Sequence, residues 1–200
     1  MLGASWRSSK VRVTVAVAAL CVPLAAGCAT ASGESAPSAT TTTAVGAGGA
    51  ADYLEEDVQF SLQMIPHHRQ TIELAELTDG RTSNAYVRRL SADLVADEQA
   101  DITLMTSWLT SWNVDPPPER TGGHDMPGML GPVQIAELKR RSGGAFDRMW
   151  LTWLAKHLDS GVRMAESVQG KGLHGPTAEL AGKIIKNQRE LIGEIVKQVA

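Results

Sequence analysis

Five histidines and seven methionines, against only two cysteines, are the side chains of this 200-residue sequence suited to soft-metal chemistry. The stretch from Gln63 to Gln70 reads QMIPHHRQ. On a helix, Met64, His67 and His68 lie one turn apart, so a thioether and two imidazoles could converge on one side. Imidazole and thioether together suit copper, with methionine favouring the reduced ion. Pro66 removes one backbone hydrogen bond and is expected to open the helix just before the histidines. A plainer alternative has one histidine hydrogen-bonded in the core, the other solvated, and Met64 as filler.

A second group sits in GGHDMPGML, residues 122–130, where His124, Met126 and Met129 share a glycine-rich segment. At these short spacings they could wrap one soft cation. The competing reading makes the methionines plugs that dock into the rest of the fold. His157 stands apart from both groups, and His174 falls in a turn where solvent exposure is expected. Other chemistries find little support. The paired Glu-x-x-His motifs of carboxylate-bridged di-iron bundles are missing, as are zinc-protease, phosphate-loop and nucleophile-elbow patterns. Asp57, Asp101, Asp147 and Glu190 read as surface or capping acids. With no acid–base pair or nucleophile constellation, an enzyme is not expected. Trp108, Trp112, Trp150 and Trp153 read first as packing residues and second as a surface for docking a partner.

These residues need helices to position them, and the sequence supplies an internal repeat. DVQFSLQMIPHHRQTIELAELTDGR from Asp57 aligns with DRMWLTWLAKHLDSGVRMAESVQGK from Asp147 at a constant offset of 90, without gaps. The offset pairs Phe60 with Trp150, His67 with His157, Glu76 with Glu166 and Gly80 with Gly170, and continues to Ile102 with Ile192. Such a register indicates a duplicated helical hairpin. In each copy, apolar residues recur at three and four, a glycine stops the first helix, and a second helix follows. Ser83 or Asn84 is the expected cap in the first copy, with Pro176 near the corresponding start in the second. Two hairpins with short internal turns predict an all-α four-helix bundle. A Pro/Gly-rich crossover over residues 113–145 joins them, holding one short helix at about residues 132–141. The second copy is less well equipped with donors: Leu154, Leu158 and Ile195 stand where Met64, His68 and Met105 stand in the first.

The N-terminus reads as an address. Arg7, Lys10 and Arg12 precede the apolar run VTVAVAALCVPLAAG, which ends at Cys28. Residues 1–27 have the form of an export signal, and LAAGC has the form of a lipobox in which Cys28 carries lipid. Residues 28–51, rich in Ser, Thr, Ala and Gly, form a tether without the means to build a core, and the folded domain is expected over 52–200. This predicts a protein anchored to the outer face of the cell membrane rather than spanning it. Cys21 lies in the signal, so the folded domain has no thiol for a disulfide or metal thiolate. Loss of residues 1–27 removes three basic and no acidic groups, shifting the formal charge from −3 to −6. An acidic exported chain has no electrostatic attraction to nucleic acid. The partners that remain are a metal ion, the membrane, another envelope protein and a second copy of the chain.

The run D-x-x-F-x-x-x-MIPHH-x-x-x-x-x-LA, then L-x-x-x-LV-x-x-x-Q-x-DI-x-x-M-x-x-WL, then HDMPGM and FD, resembles the DUF305 family from about Asp52 onward. The resemblance implies a ferritin-like four-helix bundle, export and, in some members, copper binding and copper tolerance. Carried over position by position, it implies Met64, His67, His68, Met126, Met129 and His157 as ligands, with weaker claims for Met105 and Met164. The expected function is sequestration or transfer of copper by a lipid-anchored protein without catalysis. The alternative is an envelope interaction module with a degenerate metal site.

Overall fold

The computed structural model describes residues 52–119 and 126–199, and the region Ala47–Ala200 forms one compact unit. The signal, Cys28 and the tether lie outside the described residues, as does His124.

The described residues are all-helical, in five helices: α1 Glu55–Glu76, α2 Ala85–Ser111, α3 Pro132–Lys139, α4 Gly143–Val168 and α5 Gly175–Val199. None is long and apolar enough to cross a membrane. α1 packs chiefly on α2, α4 on α5, and α1 also lies along α4, while short α3 leans on α4. The helix starts follow the local chemistry of the sequence. The Asn84 side chain accepts from the amides of Tyr86 (3.0 Å) and Val87 (3.5 Å) at the start of α2, satisfying two donors that a helix leaves open. Pro132 begins α3 at the position where its missing N–H is harmless. Gly80 and Gly170 take φ of 65° and 72° in the two interhelix turns, a left-handed conformation that side chains disfavour.

Two apolar clusters fill the interior. One joins Phe60, Met64 and Ile65 to Ile102, Met105, Trp108, Leu109, Ala165 and Ile184. The other joins Leu74, Leu90 and Leu94 to Trp150, Leu154, Leu158 and Ile195. α1 runs unbroken through Pro66, which is buried, so the expected opening of the helix does not interrupt it.

Asp57 closes one end of the unit. It is buried, and its Oδ2 accepts from Leu54 N (2.8 Å) in its own first turn and from Leu173 N (2.9 Å) and His174 N (3.2 Å) in the α4–α5 turn. A Cβ on Gly172 would fall 2.1 Å from Asp57 Oδ1, so only glycine permits this approach. Thr82 stands at the matching place in the first turn, and buried Asp147 Oδ1 has no hydrogen-bond partner. Asp57→Ala is therefore expected to destabilise the fold by about 2 kcal/mol, the scale of losing a buried charged acceptor that holds three partly buried amides. Asp147→Ala should cost clearly less, and urea unfolding of the two variants side by side checks the difference.

Candidate metal-handling site

The QMIPHHRQ stretch lies midway along α1, and its side chains leave the helix in different directions, as a 100° step per residue requires. His67 turns to α4. Its Nε2 lies 3.1 Å from the carbonyl oxygen of His157 and 3.0 Å from Ser160 Oγ. His157 answers from the other side, with Nε2 3.1 Å from Thr71 Oγ1 and 3.3 Å from the carbonyl of His67. The two rings stack at 3.8 Å between centroids and 5° between planes, and both are wholly buried. A carbonyl only accepts, so His67 Nε2 carries hydrogen and its Nδ1 is a bare lone pair. That nitrogen faces Gly161, where a Cβ would lie 2.9 Å from the ring and 2.8 Å from Gln188 Oε1. The second ring is satisfied if His157 Nδ1 donates to Gly128 O (3.3 Å) and Thr71 donates to its Nε2.

His68 turns instead to α2. Its Nδ1 forms a close ion pair with Glu98 Oε2 at 2.5 Å, and Asp101 Oδ2 lies 3.8 Å from Nε2. Lys183 of α5 holds the other oxygen of Asp101 at 3.0 Å. Asp101 is therefore a buried partner of His68, not a surface or capping acid, and Glu98, which gave no signal by itself, is its companion. Burial pushes His68 down, but the Glu98 charge and the nearby Asp101 carboxylate outweigh it and raise its pKa to about 9. Burial works against the Asp101 carboxylate, yet the neighbouring His68 and the Lys183 ion pair leave its pKa lowered. His67 is held well below the usual imidazole range by burial, then by the charges of His157 and His68. Burial likewise takes His157 to about 4 against its two backbone contacts.

The next two residues reach the crossover. Arg69 Nη1 donates to the carbonyls of Pro117 (2.9 Å) and Pro118 (2.8 Å). The buried amide of Gln70 brackets one residue, donating to Leu130 O (2.9 Å) and accepting from Leu130 N (2.7 Å). Between these points, Gly128 sits on α4 with φ 87°, so close that a Cβ would lie 2.1 Å from Ser160 Cβ. Met126 consequently lines a surface cleft of about 490 Å³ together with Gln63, Pro127, Ser160, Arg163, Met164 and Ser167.

The predicted donors thus separate into three environments. Met64 and Met105 are fully buried filler in the first apolar cluster, and their repeat counterparts Leu154 and Ile195 are equally buried. His67 and His157 do meet, as the repeat implies, but as parallel rings. Imidazole lone pairs lie in the ring plane, so two stacked rings cannot aim them at a common ion. His68 is engaged by carboxylates. Among the described residues, no three His, Cys, Asp or Glu side chains form a ligand set. What remains open to a soft ion is the cleft of Met126 and Met164, with half-buried Met129 nearby in the chain. Of these, Met164 had only a weak claim from the sequence. One further expectation is corrected: His174 is half-buried, with Trp108 and Trp112 edge-on at 5.0 Å each. Trp108, Trp112 and Trp150 are buried and Trp153 is half-buried against the second apolar cluster, in keeping with their first reading as packing residues.

The family model described as "Domain of unknown function (DUF305)" matches residues 57–198. The chain belongs to the DUF305 family. Among solved structures, a DUF305 protein of Streptomyces coelicolor, provisionally classed as secreted, is 26% identical, with TM-score 0.66 over 74% of this chain and 93% of its own. A DUF305 fragment from Deinococcus radiodurans is 24% identical, with TM-score 0.66 over 73% and 96%. CopM in its Cu(II)-bound form is 24% identical, with TM-score 0.64 over 72% and 95%; CopM has also been solved with Cu(I) and with silver. At these identities, the likeness to the last two proteins is one of fold. No curated protein matches.

This DUF305 core carries a defined pH signature. His67 and His157 are depressed, so below the unfolded value of about 6.5 the unfolded chain binds more protons and stability falls on acidification. His68 is raised, so its contribution is complete below about 6.5 and is lost as pH rises through about 9. Stability should peak between pH 6 and 7, on the scale set by about 1.4 kcal/mol per pH unit for each proton exchanged. Chemical denaturation from pH 4 to 10 checks this, and His68→Gln should flatten the alkaline limb.

Proposed function

We propose that this DUF305 protein is exported, lipid-anchored through Cys28, and handles copper without catalysing a reaction, sequestering or passing on the ion with thioether and imidazole donors. The fold belongs with this reading: four long helices pack as two hairpins, and the 90-residue pairs Phe60/Trp150, His67/His157, Leu90/Leu180 and Leu94/Ile184 are all buried. That correspondence supports a duplicated, ferritin-like four-helix bundle. Likeness to CopM, solved with Cu(I), Cu(II) and silver, supports a metal cargo. Provisional classing of the Streptomyces protein as secreted supports export.

The observation that carries the proposal is the cleft shared by Met126 and Met164. Two thioethers at a surface hollow, one from the crossover and one from α4, are soft donors without charge, the set that favours a reduced copper ion. Met129, and His124 from the same sequence motif, are the further donors proposed. The buried histidines have a different role, since His67, His68 and His157 hold helices together and the ion is not placed on them.

Competition against a chromophoric Cu(I) chelator tests the reading on residues 47–200, with Ag(I) in parallel. The wild type should retain Cu(I), and Met126→Leu with Met164→Leu should weaken retention by at least about 10-fold, with the helical signal unchanged, as loss of direct ligands requires. Binding unaffected by that double variant but abolished by His68→Gln would move the site into the core and overturn the assignment. No retention of either ion would overturn the copper reading itself.

A further inference from the structure

The four residues after Pro66 hold three separate elements: His67 reaches α4, His68 reaches α2, and Arg69 and Gln70 reach the crossover. Arg69 grips the carbonyls of Pro117 and Pro118, where the crossover leaves α2. Gln70 grips both backbone groups of Leu130, just before α3. Each anchor is unusual in kind. A side-chain amide that donates to and accepts from the same residue copies the pairing of a β-ladder, fixing the position and rotation of that peptide together. One guanidinium nitrogen shared between successive carbonyls fixes an extended segment that cannot join a helix, since Pro116, Pro117 and Pro118 are consecutive. Gln70 is buried, which shields its bracket from exchange with water.

Between the anchors, Met126 reaches the cleft only because Leu130 and Gly128 are seated. Gly128 is held by His157 and by its contact with Ser160; Leu130 is held by Gln70. The geometry points to Gln70 and Arg69 as positioning residues for the thioether cleft: they set where Met126 stands relative to Met164 without contributing a donor of their own. This rests on the copper reading given above. It adds the reason that an adjacent Arg-Gln pair follows the histidines: the same turn of α1 that locks the core also registers the crossover against it. In the second hairpin, Asp159 and Ser160 occupy those positions.

The test uses residues 47–200 with Gln70→Leu, Gln70→Glu and Arg69→Lys beside the wild type. Two readouts are taken: Cu(I) affinity by chelator competition, and amide hydrogen exchange of the Met126–Leu130 segment in metal-free protein. Gln70→Leu should weaken Cu(I) by about 10-fold, the scale expected when an outer-shell support is removed. The segment should exchange at least about 10-fold faster, while amides of α1 and α4 keep their wild-type protection, the mark of a local opening. Gln70→Glu keeps the acceptor for Leu130 N but sets an oxygen against Leu130 O, so it should not rescue affinity. Arg69→Lys, which can still donate to one carbonyl, should show the mildest loss. Faster exchange spread evenly over α1, α4 and the segment would make Gln70 a general stability residue and overturn the inference. Unchanged exchange and affinity in Gln70→Leu would overturn it as well. If the wild type binds no Cu(I) while the segment loosens as described, the copper reading fails and the positioning role stands as one for the crossover alone.

Discussion

The stacked pair of neutral imidazoles between α1 and α4 is the constraint around which the rest of the structure is arranged. Two histidines with no exposed surface can sit 3.8 Å apart only if neither is charged and each ring N–H has an acceptor. The His157 carbonyl of α4, the Gly128 carbonyl of the crossover and the Ser160 hydroxyl supply these acceptors, while Thr71 donates to His157 Nε2. Close approach then demands small residues, which explains Gly161 against the His67 ring. Since α1 and α4 meet at this point, the rotation of both helices is fixed there, and His68, Arg69 and Gln70 are directed by it to α2 and to the two ends of the crossover.

A charged core element sits one residue away, and the repeat shows that it is optional. In the first hairpin, His68 meets Glu98 and Asp101. At the matching positions, the second hairpin has Leu158, Gln188 and Leu191, and Leu158 is fully buried. The places of the ion cluster are filled as a set by largely apolar side chains, consistent with the rule that removing one partner of a buried charge cluster strands the other. The same logic treats Met64/Leu154 and Met105/Ile195 as interchangeable filler, since volume and burial persist while the sulfur does not.

Much of this was legible in the sequence. The offset of 90 located both hairpins and the turn glycines and paired His67 with His157, because segments sharing one apolar pattern bury equivalent faces. Spacing of three and four also placed the core of α1 and α2. What spacing could not convey was direction. His67 and His68 look like a chelating pair in one dimension, whereas the 100° between them sends each to a different helix. The carboxylates that claim His68 lie 30 and 33 residues further on, in a helix whose rotation depends on packing. Gln70 was passed over for a similar reason: its partner is a backbone peptide, which carries no signature in residue type.

The arrangement also constrains how an ion could be exchanged. A donor inside the imidazole pair would have to leave its carbonyl and hydroxyl contacts, separate from a stacked ring, and open the α1–α4 interface before touching a metal. Each of those contacts is buried, so the movement resembles local unfolding rather than ligand exchange. Thioethers at the mouth of a surface cleft need no such opening. They are uncharged at every pH, so nothing must be deprotonated for them to bind. On the proposed copper reading, labile donors at the surface, one on the crossover and one on α4, and immobile imidazoles beneath them separate two demands that one site could not meet together: a core with a single geometry, and donors able to give an ion up.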